Sequence, residues 1–120
     1  MENEFVTYNQ ALALKELGFD EPINAIWLTN ANSELQLGFG SWINSNKSPD
    51  YLSAPLKQQA FRWFRDEYGY CSYLKEATKG TYRFYIDKFD EKFFNSDIFK
   101  TYEESEFLCI DKLIEIVKNK

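Results

Sequence analysis

The sequence predicts an α+β fold: a four-stranded, mainly antiparallel sheet with helices packed on one face. Two kinds of periodicity point there. Three segments repeat apolar residues at helical spacing, and four shorter ones alternate or cluster as strands do. Their order is α-ββ-α-ββ-α, so each pair of strands is close enough in sequence to form a hairpin, and hairpins build antiparallel sheets. With 120 residues the chain is expected to form one domain, 1–120.

The first helix is expected to start at Thr7. Thr7 and Gln10 have capping-box spacing, and Val6 is placed to staple against Ala11. Ala11, Leu14 and Leu17 form its apolar stripe. Gly18 supplies a left-handed C-terminal position with Phe19 behind it, and Asp20-Glu21-Pro22 ends the element. Ala25-Ile-Trp-Leu-Thr29 and Glu34-Leu-Gln-Leu-Gly-Phe39 follow as a hairpin around Asn30-Ala-Asn-Ser33. The second of these strands alternates apolar and polar residues, the signature of a half-buried strand. Ser41 to Asp50, rich in Asn and Ser, reads as a loop with Trp42 near its start.

The second helix is expected from Ser53, as N-cap with Pro55 in the first turn, to Tyr68, with Gly69 closing it. At 100° per residue, Gln58, Gln59, Arg62, Arg65 and Asp66 fall in one polar arc. Leu56, Ala60 and Phe64 lie opposite, with Phe61, Trp63 and Tyr68 on the flanks. Cys71 to Glu76 and Thr81 to Phe89 form the second hairpin around Thr78-Lys79-Gly80. There Tyr82, Phe84 and Ile86 share one face, and Arg83, Tyr85 and Asp87 share the other. Asp90 to Lys100 reads as an acidic, aromatic loop. The last helix opens with Thr101 and Glu104 at capping-box spacing. Its stripe of Phe107, Ile110, Ile114 and Val117, widened by Cys109, Leu113 and Ile116, is broad enough to lie across a sheet.

Composition narrows the chemistry. There is no histidine, which removes the commonest general base and transition-metal ligand. Cys71 and Cys109 are too far apart for a CxxC pair and read as core residues. Asp87, Asp90, Glu91 and Asp97 lack the spacing of a calcium loop. No catalytic residue, metal or cofactor is expected, and the chain reads as a binder rather than an enzyme. No stretch approaches the ~20 apolar residues of a membrane span, and the N-terminal Met-Glu-Asn-Glu is acidic where a secretory signal would be basic. The expected location is cytoplasmic, with no membrane partner.

Net charge is −5, which disfavours a long nucleic acid. The balance is uneven. Ser53 to Lys88 holds seven basic and four acidic residues, so this window is +3 and the remainder −8. A small anion suits that window. Arg62 and Arg65, with Gln58, could clamp phosphate bidentately. Trp42 and Tyr85 could stack a base, with Arg83 beside Tyr85 on the strand.

Three blocks carry a resemblance: Phe5 to Pro22, Ser53 to Arg65, and Lys100 to Glu104 with Lys112 to Lys118. Together they cover just over a third of the chain, and Phe61-Arg-Trp-Phe-Arg65 is the distinctive part. They resemble a family of small uncharacterised proteins of tailed phages and prophages of Bacteroidota, also found in gut viral metagenomes. The resemblance implies a small accessory phage gene acting in the cytoplasm of an infected bacterial host, as host-takeover and anti-defence factors do. Two readings follow. One is a homo-oligomeric sponge that sequesters a nucleotide immune signal of cyclic dinucleotide or cyclic ADP-ribose type, using Arg62, Arg65, Gln58, Trp42, Arg83 and Tyr85. The other is an acidic inhibitor that docks on a host defence protein.

Overall fold

A computed structural model describes residues 4–21, 25–28, 35–37, 51–88 and 91–119. The class is α+β, with helices α1 (Tyr8–Glu16), α2 (Lys57–Tyr68) and α3 (Tyr102–Lys118). The strands are β1 (Ala25–Leu28), β2 (Leu35–Leu37), β3 (Tyr51–Ser53), β4 (Tyr70–Thr78), β5 (Thr81–Lys88) and β6 (Glu91–Asn95). The expected single four-stranded sheet is corrected to two antiparallel three-stranded sheets, ordered β2-β1-β3 and β4-β5-β6. The order α-ββ-α-ββ-α gains a strand after each hairpin. The chain divides into two compact units, Met1–Gln58 and Gln59–Lys120.

In the first unit, the capping box of α1 forms as the spacing requires. The Gln10 N–H donates to Thr7 Oγ1 at 3.2 Å, and the Thr7 N–H donates to Gln10 Oε1 at 3.1 Å. Val6, Ala11 and Leu14 are fully buried. Gly18 sits at φ 96°, where a side chain would be strained. It lets the Phe19 N–H reach back to the Leu14 carbonyl at 2.9 Å and buries the Phe19 ring.

β1 and β2 form the expected first hairpin, with Ala25 opposite Leu37 and Trp27 opposite Leu35. On its other side β1 takes β3, pairing Trp27 with Leu52. Ser53 is therefore a strand residue and not the N-cap of α2. The Val6 N–H donates to the Pro55 carbonyl at 3.1 Å, and Phe5 bridges Leu56. That pairing holds 55–56 extended, so α2 begins at Lys57 and Leu56 is left exposed.

The second unit is built round the β4–β5 hairpin. Gly69, at φ 79°, turns the chain out of α2, and Gly80, at φ 83°, turns it between the strands. Phe84 and Ile86 alternate inward from β5, and α3 lies across β5 and β4. From α3 come Cys109, Ile110, Leu113, Ile114 and Val117, all buried. Phe107, expected in this stripe, is only half-buried. Each buried aliphatic or aromatic side chain stabilises by about 1.5–3 kcal/mol relative to exposure. Thr101 caps α3 by accepting the Glu104 N–H at 3.0 Å, and Glu103 and Glu104 favour the positive end of its dipole.

Asp90 to Lys100, read as a loop, contains β6. Ile86 faces Phe94 and Asp87 faces Lys92, so a bulge separates these pairs. Beyond the strand, Tyr82 exchanges backbone bonds with Phe99 at 2.8 and 2.7 Å. No helix among the described residues is long and apolar enough to cross a membrane.

Candidate functional site: a basic and aromatic sheet face

Strand alternation sends Arg83, Tyr85 and Asp87 to the face of β5 opposite the buried Phe84 and Ile86. The hairpin register then sets their neighbours on β4. Lys75 stands opposite Arg83, Tyr73 opposite Tyr85, and Cys71 opposite Asp87. Cys71, Tyr73 and Lys75 are exposed, so this face is open. The expectation that Cys71 fills the core is thus corrected. It lies on the outer side of the pleat, and only Cys109 is buried.

The centre of the face is a ring stack. Tyr73 and Tyr85 lie 5.0 Å apart with planes 16° from parallel. A flat ring laid on the outside of this pair extends the stack by one layer, an interaction worth about 1–3 kcal/mol per base in single-strand binders. The Tyr73 phenol is pushed above its ordinary value, first by the desolvation its neighbours impose and then by the Asp87 carboxylate beside it. It therefore stays a neutral hydrogen-bond donor throughout the neutral range.

One pleat along, the charges repeat instead of alternating. Lys75 and Arg83 are directly opposed cations, and neither has a carboxylate partner among the described residues. Like charges in that relation are destabilising. The Arg83 Nε is shielded from solvent and finds no acceptor, a position normally filled. An anion seated beside the pair would neutralise the opposed charges. The Arg83 and Tyr85 positions are two residues apart on β5, about 7 Å. That spacing suits a ligand with an anionic group and a planar group a few bonds apart.

The other expected site residues fall elsewhere. Arg62, Arg65 and Gln58 are exposed on the polar side of α2, while Ala60, Trp63 and Phe64 are buried. Arg65 is engaged with Asp66 at 3.3 Å, an exposed pair of little energetic weight. These three residues and the Arg83–Tyr85 pair sit on different elements. Trp42 lies outside the described residues. Tyr73 and Lys75 were missed by sequence reasoning, and the turn at Thr78-Lys79-Gly80 alone does not find them: Thr78 opposite Thr81 would carry Tyr73 to Ile86 and Lys75 to Phe84, and the bulge between Glu76 and Thr78 shifts them to Tyr85 and Arg83.

No group of three or more Cys, Asp or Glu residues suited to a metal occurs among the described residues. Compared with models of protein families, with curated proteins and with solved structures, the chain matches none.

Proposed function

We propose that the protein is a non-catalytic binder of a small nucleotide-type ligand, which it sequesters on the open face of the β4–β5–β6 sheet. The observation that carries this reading is the unpaired Lys75–Arg83 couple beside the Tyr73–Tyr85 stack. The cations take phosphate, and the tyrosines take the base. The phage context implied by the three sequence blocks narrows the ligand to an immune signal of cyclic dinucleotide or cyclic ADP-ribose type. In that setting the protein is a cytoplasmic anti-defence sponge. Net charge of −5 is compatible with a small anion held at a local basic patch, and not with a long nucleic acid.

The test is thermal unfolding of the pure protein against cyclic dinucleotides, cyclic oligonucleotides and ADP-ribose derivatives. A ligand at 100 times its Kd stabilises by about 2.7 kcal/mol, which raises the midpoint by several degrees. The ligand is expected back unchanged after heating, and the double variant Lys75→Ala, Arg83→Ala is expected to abolish the shift. The companion variant Arg62→Ala, Arg65→Ala should retain it. Loss of binding in the companion alone would move the site to α2. A panel with no shift at high excess would overturn the sponge and favour the acidic inhibitor, which capture of a host defence protein would then test. Ligand recovered in altered form would make the protein an enzyme.

A further inference from the structure

The exposed face ends at a strand edge that no other described strand pairs. β4 is the outermost strand of its sheet, and at nine residues the longest strand described. The direction of its backbone groups follows from the other side of β5. Tyr82 exchanges two backbone bonds with Phe99, and Phe84 takes bonds from and to Ser96 at 2.9 and 3.0 Å, so both residues point their N–H and C=O away from β4. Their partners Glu76 and Leu74 accordingly occupy the non-hydrogen-bonded positions of the β4–β5 ladder, and Ser72 continues the alternation. The N–H and C=O groups of Ser72, Leu74 and Glu76 therefore point out of the sheet. None has a partner among the described residues. Such an edge is a template for another strand.

We infer that β4 pairs antiparallel with β4 of a second copy about a two-fold axis at Leu74, and that the ligand face described above is completed by this pairing. Leu74 is the midpoint of Tyr70–Thr78 and the middle of the three outward-pointing residues Ser72, Leu74 and Glu76, so this register engages all three. It sets Ser72 against Glu76 of the second copy and Tyr73 against its Lys75, with no like charges directly opposed. The outer face then reads, across the junction, Arg83 and Lys75 of one copy followed by Tyr73 and Tyr85 of the other. The two Lys75 side chains meet diagonally across the axis, about 7–8 Å apart, with an Arg83 beyond each. Four cations about a two-fold axis form a seat for a ligand carrying two phosphates, with a tyrosine stack on either side for its rings. This use of the edge rests on the proposed nucleotide site; the strand pairing itself does not.

The mass in solution, measured without ligand, tests the pairing. Twice the chain mass of 14.2 kDa is expected. Glu76→Pro should halve it, because that residue's N–H points outward and its loss leaves the β4–β5 ladder intact. Circular dichroism confirms that the variant is folded. An independent variant, Leu74→Cys with Cys71→Ser, should form an intermolecular disulfide on mild oxidation. Residues facing each other across a two-fold in a hydrogen-bonded pair have Cα atoms about 5.5 Å apart, within disulfide range. A monomer at every concentration overturns the proposal, as does a dimer that survives Glu76→Pro and fails to cross-link at position 74. Failure of the nucleotide reading shows separately, as a dimer that no nucleotide stabilises.

Discussion

Replacing Ser96 with alanine tests how the site strand is held. The β5–β6 backbone ladder ends at Tyr85–Asn95, and one residue further the hydroxyl of Ser96 takes over. Its Oγ accepts the Phe84 N–H at 2.9 Å and donates to the Asp97 carbonyl at 2.7 Å. Both Phe84 and Ser96 are buried. Alanine leaves the Ser96 N–H to Phe84 carbonyl bond at 3.0 Å in place but strands the Phe84 N–H. A buried donor left without an acceptor costs about 1–3 kcal/mol. The Asp97 carbonyl belongs to an exposed residue and gains water, so its loss adds little. The variant should therefore be less stable by about 1–3 kcal/mol, a large part of the 5–15 kcal/mol that ordinary domains possess.

Urea unfolding measures it. The midpoint should fall with the slope unchanged, because the surface exposed on unfolding is the same. Ser96→Thr, which keeps the hydroxyl, should recover most of the loss. Amide exchange at Phe84 gives a local reading within the 59–120 unit, and should quicken in the alanine variant alone. A loss under about 0.5 kcal/mol, within the range of a neutral surface change, with unaltered exchange at Phe84, would refute the claim that this hydroxyl closes the sheet. Phe84 lies between Arg83 and Tyr85, so loosening it should also weaken the proposed nucleotide binding at the face.

Lys75→Gln should stabilise the ligand-free protein by about 0.2–1 kcal/mol, since it removes a like charge opposite Arg83; calorimetry should show the gain shrinking as salt rises, while nucleotide affinity falls. In the native protein a thiol reagent should modify Cys71 alone, with Cys109 reacting only after unfolding, and a nucleotide on the face should slow the Cys71 reaction. Burial, and secondarily the Glu106 carboxylate against the opposing pull of the Ser72 hydroxyl, pushes the Cys109 thiol up to about 12. The unfolded thiol ionises from its ordinary 9.0, so unfolding releases a proton in between, and stability should fall across that window by at most about 1.4 kcal/mol per pH unit. Cys109→Ala should flatten that part of the profile in urea titrations.

The elements legible in the sequence are those whose signals are local. The Thr7–Gln10 box, Gly18, Gly69 and Gly80 each act within a few residues, and all behave as the sequence implies. The 82–84–86 alternation needs only a strand with one wet face. What escaped depends on distant partners. β3 is three residues long, too short to show a period, and Ser53-Ala-Pro55 imitates a helix start. Distant partners hold that stretch extended: Ser53 pairs with Ile26, Pro55 with Val6, and Leu56 with Phe5. β6 carries Phe93 and Phe94 side by side, which breaks a two-residue period. The bulge between Ile86 and Asp87 is the reason: β6 advances two residues, Phe94 to Lys92, while β5 advances one.

The same distinction explains why half of the candidate site was visible and half was not. Arg83 and Tyr85 lie on one strand, and alternation alone sends them to one face. Arg62 and Arg65 looked stronger because helical spacing gathered them with Gln58 into a single arc. On α2, however, that arc is an exposed helix face, and Arg65 already has Asp66. An arginine meant for an anion is better marked by what it lacks. Arg83 faces a second cation, has no carboxylate partner among the described residues, and keeps a shielded Nε without an acceptor. Only the β4–β5 register exposes that deficit, and a surface that tolerates an unneutralised pair of charges in an acidic protein is one on which a missing anion has the most to contribute.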